Sequence, residues 1–251
     1  MHTVKSLIGD LRRIGVREGD TLVVHSSIRS VGEVEGRGDA ILDALIGAVG
    51  ADGLLVLPTL TYARSDKPGK DPVFVVDSTP AQIGTLPNLF LKRPGVIRSW
   101  HPTHSVAALG RDAAEFTAGH EKFDSPAART SPWGKLIDRH ARIMFIGADI
   151  GCNTFLHGVE EQSGIPGVLT DEKEQLYTVT PAGERILVPS RRHIGHHSHY
   201  YTKVRQLFTD AGILVVDRFG DARCQMITDA AEAARLVTPL LLADPGFFTH
   251  E

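Results

Sequence analysis

The chain has 251 residues, of which 42% are hydrophobic and 23% charged, and it carries a net charge of -3 at pH 7. A composition of that kind predicts one globular domain over residues 1–251, and a balance so near neutral excludes the electrostatic footprint of a nucleic-acid or anionic-membrane binder. The two cysteines, Cys152 and Cys224, lack the spacing of a disulfide framework or a thiolate zinc site. With no export signal at the N-terminus and no run of roughly 18 apolar residues, a cytoplasmic protein is expected.

Val4, Leu7, Ile8, Leu11 and Ile14 recur at helical spacing, predicting a helix over 3–15 ended by Gly15. A short buried strand follows at 21–24, then a polar loop at 25–32, a helix starting near Asp39, and a strand at 53–57 closed by Pro58. Residues 59–76 read as a long loop, and loops of that length in a compact domain are usually functional. Thr79 and Pro80 open a helix that ends near Pro94; an extended piece at 97–100 and a strand at 105–109 come next. A weak helix at 113–118, an irregular loop at 123–132 and a short helix at 136–140 lead to the apolar strand 143–148. The following loop tips into a helix capped by Asn153 or Thr154. Residues 176–180 and 184–188 flank Pro181, Ala182 and Gly183 as a hairpin; a histidine cluster, a helix over 200–211, two strands about Gly220 and a helix over 229–242 complete the chain. Strands alternating with helices, with hairpins late, predict a mixed α/β (α+β) fold with one central sheet flanked by helices.

Several constellations could carry chemistry. His157 and Glu160 stand three apart on a helix behind a buried strand, so imidazole and carboxylate share one face, either as a general base with its partner or as a surface or core pair. His25, Ser26 and Ser27, with Arg29, Ser30 and Gly32, offer small residues and backbone N–H groups at a strand end, suited to a phosphate or to a plain turn. Neither a Walker loop nor a Gly-x-Gly-x-x-Gly pattern is present. Ser105, Ala107 and Ala108 leave a strand edge open to a narrow ligand, or pack closely. His193, His196, His197 and His199 could hold zinc or form a basic loop that is either solvated or substrate-facing; their spacing matches no common zinc motif and no clear acid stands beside them in sequence.

Taken in order, His25 through Gly32, Leu57-Pro58-Thr59 with Thr61, Asp77 through Pro80 with Gly84, Arg98 through Gly110, Ser131-Pro132 with Gly134, and Asn153 through Glu160 resemble the aminoglycoside 3-N-acetyltransferase family. These are antibiotic N-acetyltransferases unrelated to the GNAT fold. The resemblance spans nearly the whole chain and implies transfer of acetyl from acetyl-CoA to an amine, usually on an amino sugar. It implies His157 as the catalytic base with Glu160 in its motif, and His25 beside the thioester. It also implies that Ser26, Ser27, Ile28, Arg29, Ser30, Val31 and Gly32 lie along the coenzyme pyrophosphate, and His104, Ser105, Val106 and Ala107 along pantetheine.

That chemistry suits the residues. An amine with a pKa of about 8 to 10 is mostly ammonium at neutral pH and needs a base before it attacks a thioester. Direct transfer is favoured; Cys152, close to His157, keeps an acetyl-enzyme as the alternative. The charge pattern departs from the family: Arg64, Lys67 and Lys70 against Asp66, and then Arg191-Arg192-His193, predict two positive walls and an acceptor less cationic than an aminoglycoside. The expected partners are acetyl-CoA and a small-molecule amine, with no nucleic acid, membrane or metal, and a homodimer is compatible with this. A metal-dependent amidohydrolase using residues 193–199 is the rival reading; a CoA- or sugar-binding protein without turnover is a third.

Overall fold

A computed structural model describes residues 1–63 and 72–250. The first helix, α1 (Val4–Ile14), starts where the Thr3 side chain accepts from the Ser6 N–H and ends at Gly15, whose φ of 108° releases the chain. Its apolar stripe, Leu7, Leu11 and Ile14, packs on α2 (Arg37–Val49). Between them runs β1 (Thr21–Ser26), buried along its length, which is why it reads as an unbroken apolar run.

The central sheet has seven strands in the order β4-β5-β2-β1-β6-β10-β9. They are β4 (Ile97–Arg98), β5 (Val106–Gly110), β2 (Leu54–Pro58), β1, β6 (Arg142–Ile146), β10 (Ala222–Ile227) and β9 (Leu214–Phe219). β1 is parallel to β2 and β6, while the outer strands are antiparallel. Alternation along the strands divides the core in two. Leu22, Val24, Met144 and Ile146 meet α1, α2 and α3 (Thr85–Phe90) on one face. Val23, Ile143 and Phe145 meet α4 (Ala113–Thr117), α5 (Pro132–Asp138), α6 (Thr154–Ser163), α7 (Val204–Asp210) and α8 (Ala230–Ala243) on the other. Each large buried side chain in these layers contributes about 1.5–3 kcal/mol.

Two expectations need correction. The late hairpin, β7 (Glu174–Val179) and β8 (Arg185–Ser190), does not join the central sheet; it pairs with β3 (Val73–Val75) in a second, three-stranded sheet. β3 lies inside the stretch read as loop, of which residues 64–71 fall outside the described ones. The helix expected from Thr79 begins only at Thr85, because Gly84 has a φ of 98° and residues 79–84 turn instead, held by Asn88 bonding the backbone of Ala81. Arg98, 5% exposed, ties the two sheets together. Its guanidinium donates to the carbonyls of Thr59, Val76 and Thr79 and stacks over Phe74. Among the described residues no helix is long and apolar enough to cross a membrane.

Candidate active site

β1 and β6 are parallel neighbours, yet the helices that follow them, α2 and α6, cover opposite faces of the sheet. A crevice opens beyond the carboxyl ends of strands arranged in this way. At that place lies a cleft of about 720 Å3 whose described lining includes His25, Ser26, His104, Cys152, His157 and His193.

α6 begins where Asn153 Oδ1 accepts from the Phe155 N–H, and it carries His157 to the cleft wall with Glu160 one turn deeper. His157 Nδ1 is 2.6 Å from the Tyr201 hydroxyl and 3.3 Å from Glu160 Oε2. Tyr201 has one proton, and it donates to Glu160 Oε2. The hydroxyl therefore accepts from His157, which fixes the Nδ1–H tautomer and leaves the Nε2 lone pair for the cleft. His197 Nδ1 adds a third donor to Glu160, at 2.5 Å. Burial pushes the Glu160 carboxyl up, but the hydrogen bonds from His157, Tyr201 and His197 outweigh it and hold the group below the usual carboxylate range. Glu160, rather than Glu161, is thus the partner of His157.

Glu161 faces the other way. Its carboxylate accepts from Ser125 Oγ and the Ala127 N–H, and lies 2.6 Å from His193 Nε2. Burial lifts it to about 7 despite those donors. The His193 ring stacks on His157 with centroids 4.1 Å apart. The histidine stretch faces the cleft through His193 and His199, as a substrate-facing loop would, while His196 is exposed. It alternates, with His193 and His197 turned in onto Glu161 and Glu160, and with the exposed His196 stacked on His199 at the cleft wall. Gly195 makes this possible: its φ is 78°, and a Cβ there would come within 2.3 Å of His197 Nε2. Among the described residues no three His, Cys, Asp or Glu side chains are grouped to hold a metal. The acids missing from the sequence neighbourhood are supplied by α6, about 35 residues earlier. Sequence reasoning singled out His193 and His197 but missed Tyr201 and the pairing of these histidines with Glu161 and Glu160; adjacent carboxylates on one helix, with histidines four apart around a glycine, were the available signal.

His25 stands at the end of β1, directly opposite Phe145 of β6, with its ring stacked on Phe145 at 5.1 Å. Burial lowers it to about 4, so it is neutral, and its Nε2 has no partner. Of the loop residues, Ser26 lines the cleft; Ser27, Arg29 and Gly32 are exposed, Ile28 and Ser30 are half-buried, and Val31 belongs to the core. The β6 end holds this loop closely, since the Ser27 N–H donates to the Ile146 carbonyl. His104 reaches the cleft, with burial keeping it well below the usual imidazole range. Ser105 instead turns onto Thr59 and Arg98, and Val106 and Ala107 fill the core. The open edge expected for this strand is absent, because β2 and β4 pair with its two sides at Ala107.

The charge expectation also changes. Arg192 is paired with Glu174, and Arg191 lies 3.7 Å from Asp124, a carboxylate it shares with Lys173 at 2.6 Å, so that wall is partly neutralised. The other basic stretch, residues 64–70, lies outside the described residues.

The sequence from residue 23 to 241 matches the profile of the family described as aminoglycoside 3-N-acetyltransferase. The chain belongs to that family. By class it is an N-acetyltransferase. It is 32% identical over 197 residues to the aminoglycoside N(3)-acetyltransferase VII of Streptomyces paromomycinus, covering 72% of this chain and 67% of that relative. Its fold is similar to that of YokD from Bacillus subtilis, with a TM-score of 0.85, 25% identity and coverage of 98% and 95% of the two chains. AAC-IIIb, solved as a binary complex with CoASH, superposes with a TM-score of 0.84 and 26% identity, covering 96% of each chain.

Proposed function

We propose that this protein transfers the acetyl group of acetyl-CoA directly to an amine of a small-molecule acceptor, with His157 as general base. The observation that carries the reading is the commitment of His157 Nδ1 to Tyr201 and Glu160, which leaves Nε2 facing the cleft. In the reaction Nε2 takes a proton from the amine, the nitrogen attacks the thioester carbonyl, and the C–S bond breaks as the thiolate is reprotonated. Glu160 stabilises the imidazolium that forms. His25 Nε2, neutral and unpartnered, donates to the developing oxyanion. The coenzyme lies across Ser26 and the exposed Ser27, Arg29 and Gly32 that follow it, with its arm passing His104. A cytoplasmic location suits that co-substrate.

Among the described lining residues Glu174 is the only carboxylate, and it is engaged by Arg192. That supports an acceptor with fewer positive charges than an aminoglycoside, such as an anionic or nucleotide-linked amino sugar. An amine panel checks it: faster turnover of kanamycin-class compounds than of anionic amines would refute the preference. The metal-dependent rival lacks support, because among the described residues no three His, Cys, Asp or Glu side chains converge as a ligand set.

Thermal shift with coenzyme A tests the whole reading. Ligand at about 100 times Kd contributes about 2.7 kcal/mol, so the midpoint should rise by several degrees. His157→Ala should keep that rise and lose at least about 100-fold in kcat. Absence of any CoA shift at saturation would sink the assignment.

A further inference from the structure

Acetyl transfer to an amine that arrives as ammonium has a proton balance that one base does not close. The nitrogen loses two protons, the departing thiolate takes one, and one is left over. His157 can take only one of them, on its Nε2 lone pair.

Beside it stands a pair that the His157 chemistry leaves unused. The rings of His193 and His157 are stacked with 23° between their planes, and both line the cleft. His193 Nε2 is 2.6 Å from Glu161 Oε1, while its Nδ1 is enclosed and has no hydrogen-bond partner. A ring that donates from Nε2 to a carboxylate has a bare lone pair on Nδ1. Ser125 and Ala127 fix the carboxylate from behind.

We propose that Glu161 and His193 form a second acid–base couple of this cleft, which takes up the proton left over from acetyl transfer. The inference rests on the reading of the cleft as an amine acetyltransferase site with His157 as base. In the step, the His193 ring tilts off His157 to open its enclosed Nδ1 to the cleft, an N–H bond of the substrate ammonium breaks, and an N–H bond forms at Nδ1 through a water of the cleft. The Nε2–H bond breaks as an O–H bond forms at Glu161 Oε1. The electron pair of the broken substrate bond stays on nitrogen, which becomes the nucleophile. The couple ends as a neutral imidazole and a neutral carboxyl, so no second imidazolium stands against His157 when it takes the other proton and passes it to the thiolate. Glu161 later returns its proton to solvent by the same route.

Electrostatics place that proton on Glu161. Burial raises the carboxyl to about 7, and burial together with the facing His157 holds His193 well below the usual imidazole range. The titratable groups around the couple are His157 and Glu160 on α6, His104 from the β4–β5 turn, and His197 and Tyr201 from the 3-10 helix His197–Lys203. Asp124, next to Ser125, is turned to Lys173 and Arg191.

The test is log kcat against pH at saturating acetyl-CoA and amine. The wild-type acid limb should approach a slope of two, since His157 and Glu161 must both start unprotonated. Glu161→Gln should reduce the slope to one and lower kcat at pH 8 by about tenfold or more. Glu161→Asp should restore the two-proton limb. A Glu161→Gln enzyme with the wild-type slope and rate overturns the proposal. A carboxyl carbon-13 NMR titration of the wild-type protein, which needs no turnover and no variant fold, is the second arm. Titration of Glu161 near 7 supports the couple, and titration at about 4, the ordinary carboxyl value, overturns it. If Glu161 titrates near 7 but no amine is acetylated, the acetyltransferase reading has failed, and the couple has lost its reaction for that separate reason.

Discussion

Glu160 is fully enclosed, and three hydrogen-bond donors converge on it. Removing a partner from a buried charge costs about 3–5 kcal/mol because the charge is stranded. Tyr201→Phe deletes the hydroxyl that joins base to carboxylate, so it should lower kcat by about tenfold or more and leave CoA binding unchanged; steady-state kinetics with thermal shift separates the two. Cys152 lines the cleft within reach of substrate, and Cys152→Ala should retain most activity if transfer is direct. Near-total loss, or an acetylated cysteine in intact-mass measurement, would establish the covalent route. The His157 and Glu160 pair was legible because helical spacing puts positions three apart on one face. Tyr201 and His197 were not, since they arrive from a chain segment whose spacing to α6 says nothing about proximity.

At the scale of elements, the approach of β1 to β6 depends on how tightly the loop after β1 seats on the β6 end. Gly147 has a φ of 58°, and a Cβ there would stand 1.7 Å from Ser30 Oγ and 2.7 Å from its Cβ. Gly147→Ala should therefore cost about 1–3 kcal/mol and push the 27–31 segment outward. A lower denaturant midpoint together with a weakened CoA shift would record both effects, and an unchanged midpoint would contradict the contact. The strands of the central sheet were readable as apolar runs, and the hairpin about Gly183 was readable from its turn. Which sheet that hairpin joins was not, because alternation gives the face a strand buries and not its neighbour. The β5 edge misled for a related reason: small residues at Ala107 and Ala108 mark close packing on β4 as well as they mark an opening.

For the whole molecule, the buried histidines govern acid stability. His25 and His120 are lowered by burial to about 4, against about 6.5 in the unfolded chain. Below pH 6.5 the unfolded state binds protons that the folded state refuses, so stability is intact above 6.5 and falls as pH drops towards 4. Each of the two contributes a loss of roughly 3 kcal/mol over that window, from about 1.4 kcal/mol per pKa unit. His101, His104 and His193 shift in the same direction. Glu161 runs the other way, since its raised carboxyl favours the folded state below about pH 4.5 and loses that benefit as pH rises through 7. The histidines outnumber it, and a domain has only about 5–15 kcal/mol to lose. The urea midpoint should fall steeply from pH 6.5 to 5; a flat profile there would contradict the buried neutral state. Twelve histidines in a chain of 251 residues made an imidazole-rich site foreseeable, but not that several would stand in one row from cleft to core.

Beyond His157, Ser125 and Ala127, the two neighbouring carboxylates of α6 take their remaining partners from residues 193–201. On a ribosome, α6 emerges with Glu160 and Glu161 still hydrated, and the segment that makes their burial tolerable follows about 35 residues later. The helix therefore has reason to stay loosely docked until that segment arrives. A nascent chain halted before Tyr201 should hold α6 open to protease, and one extended past the 3-10 helix should not. The assembly of the catalytic pair would then mark the moment at which the polypeptide commits to its native state.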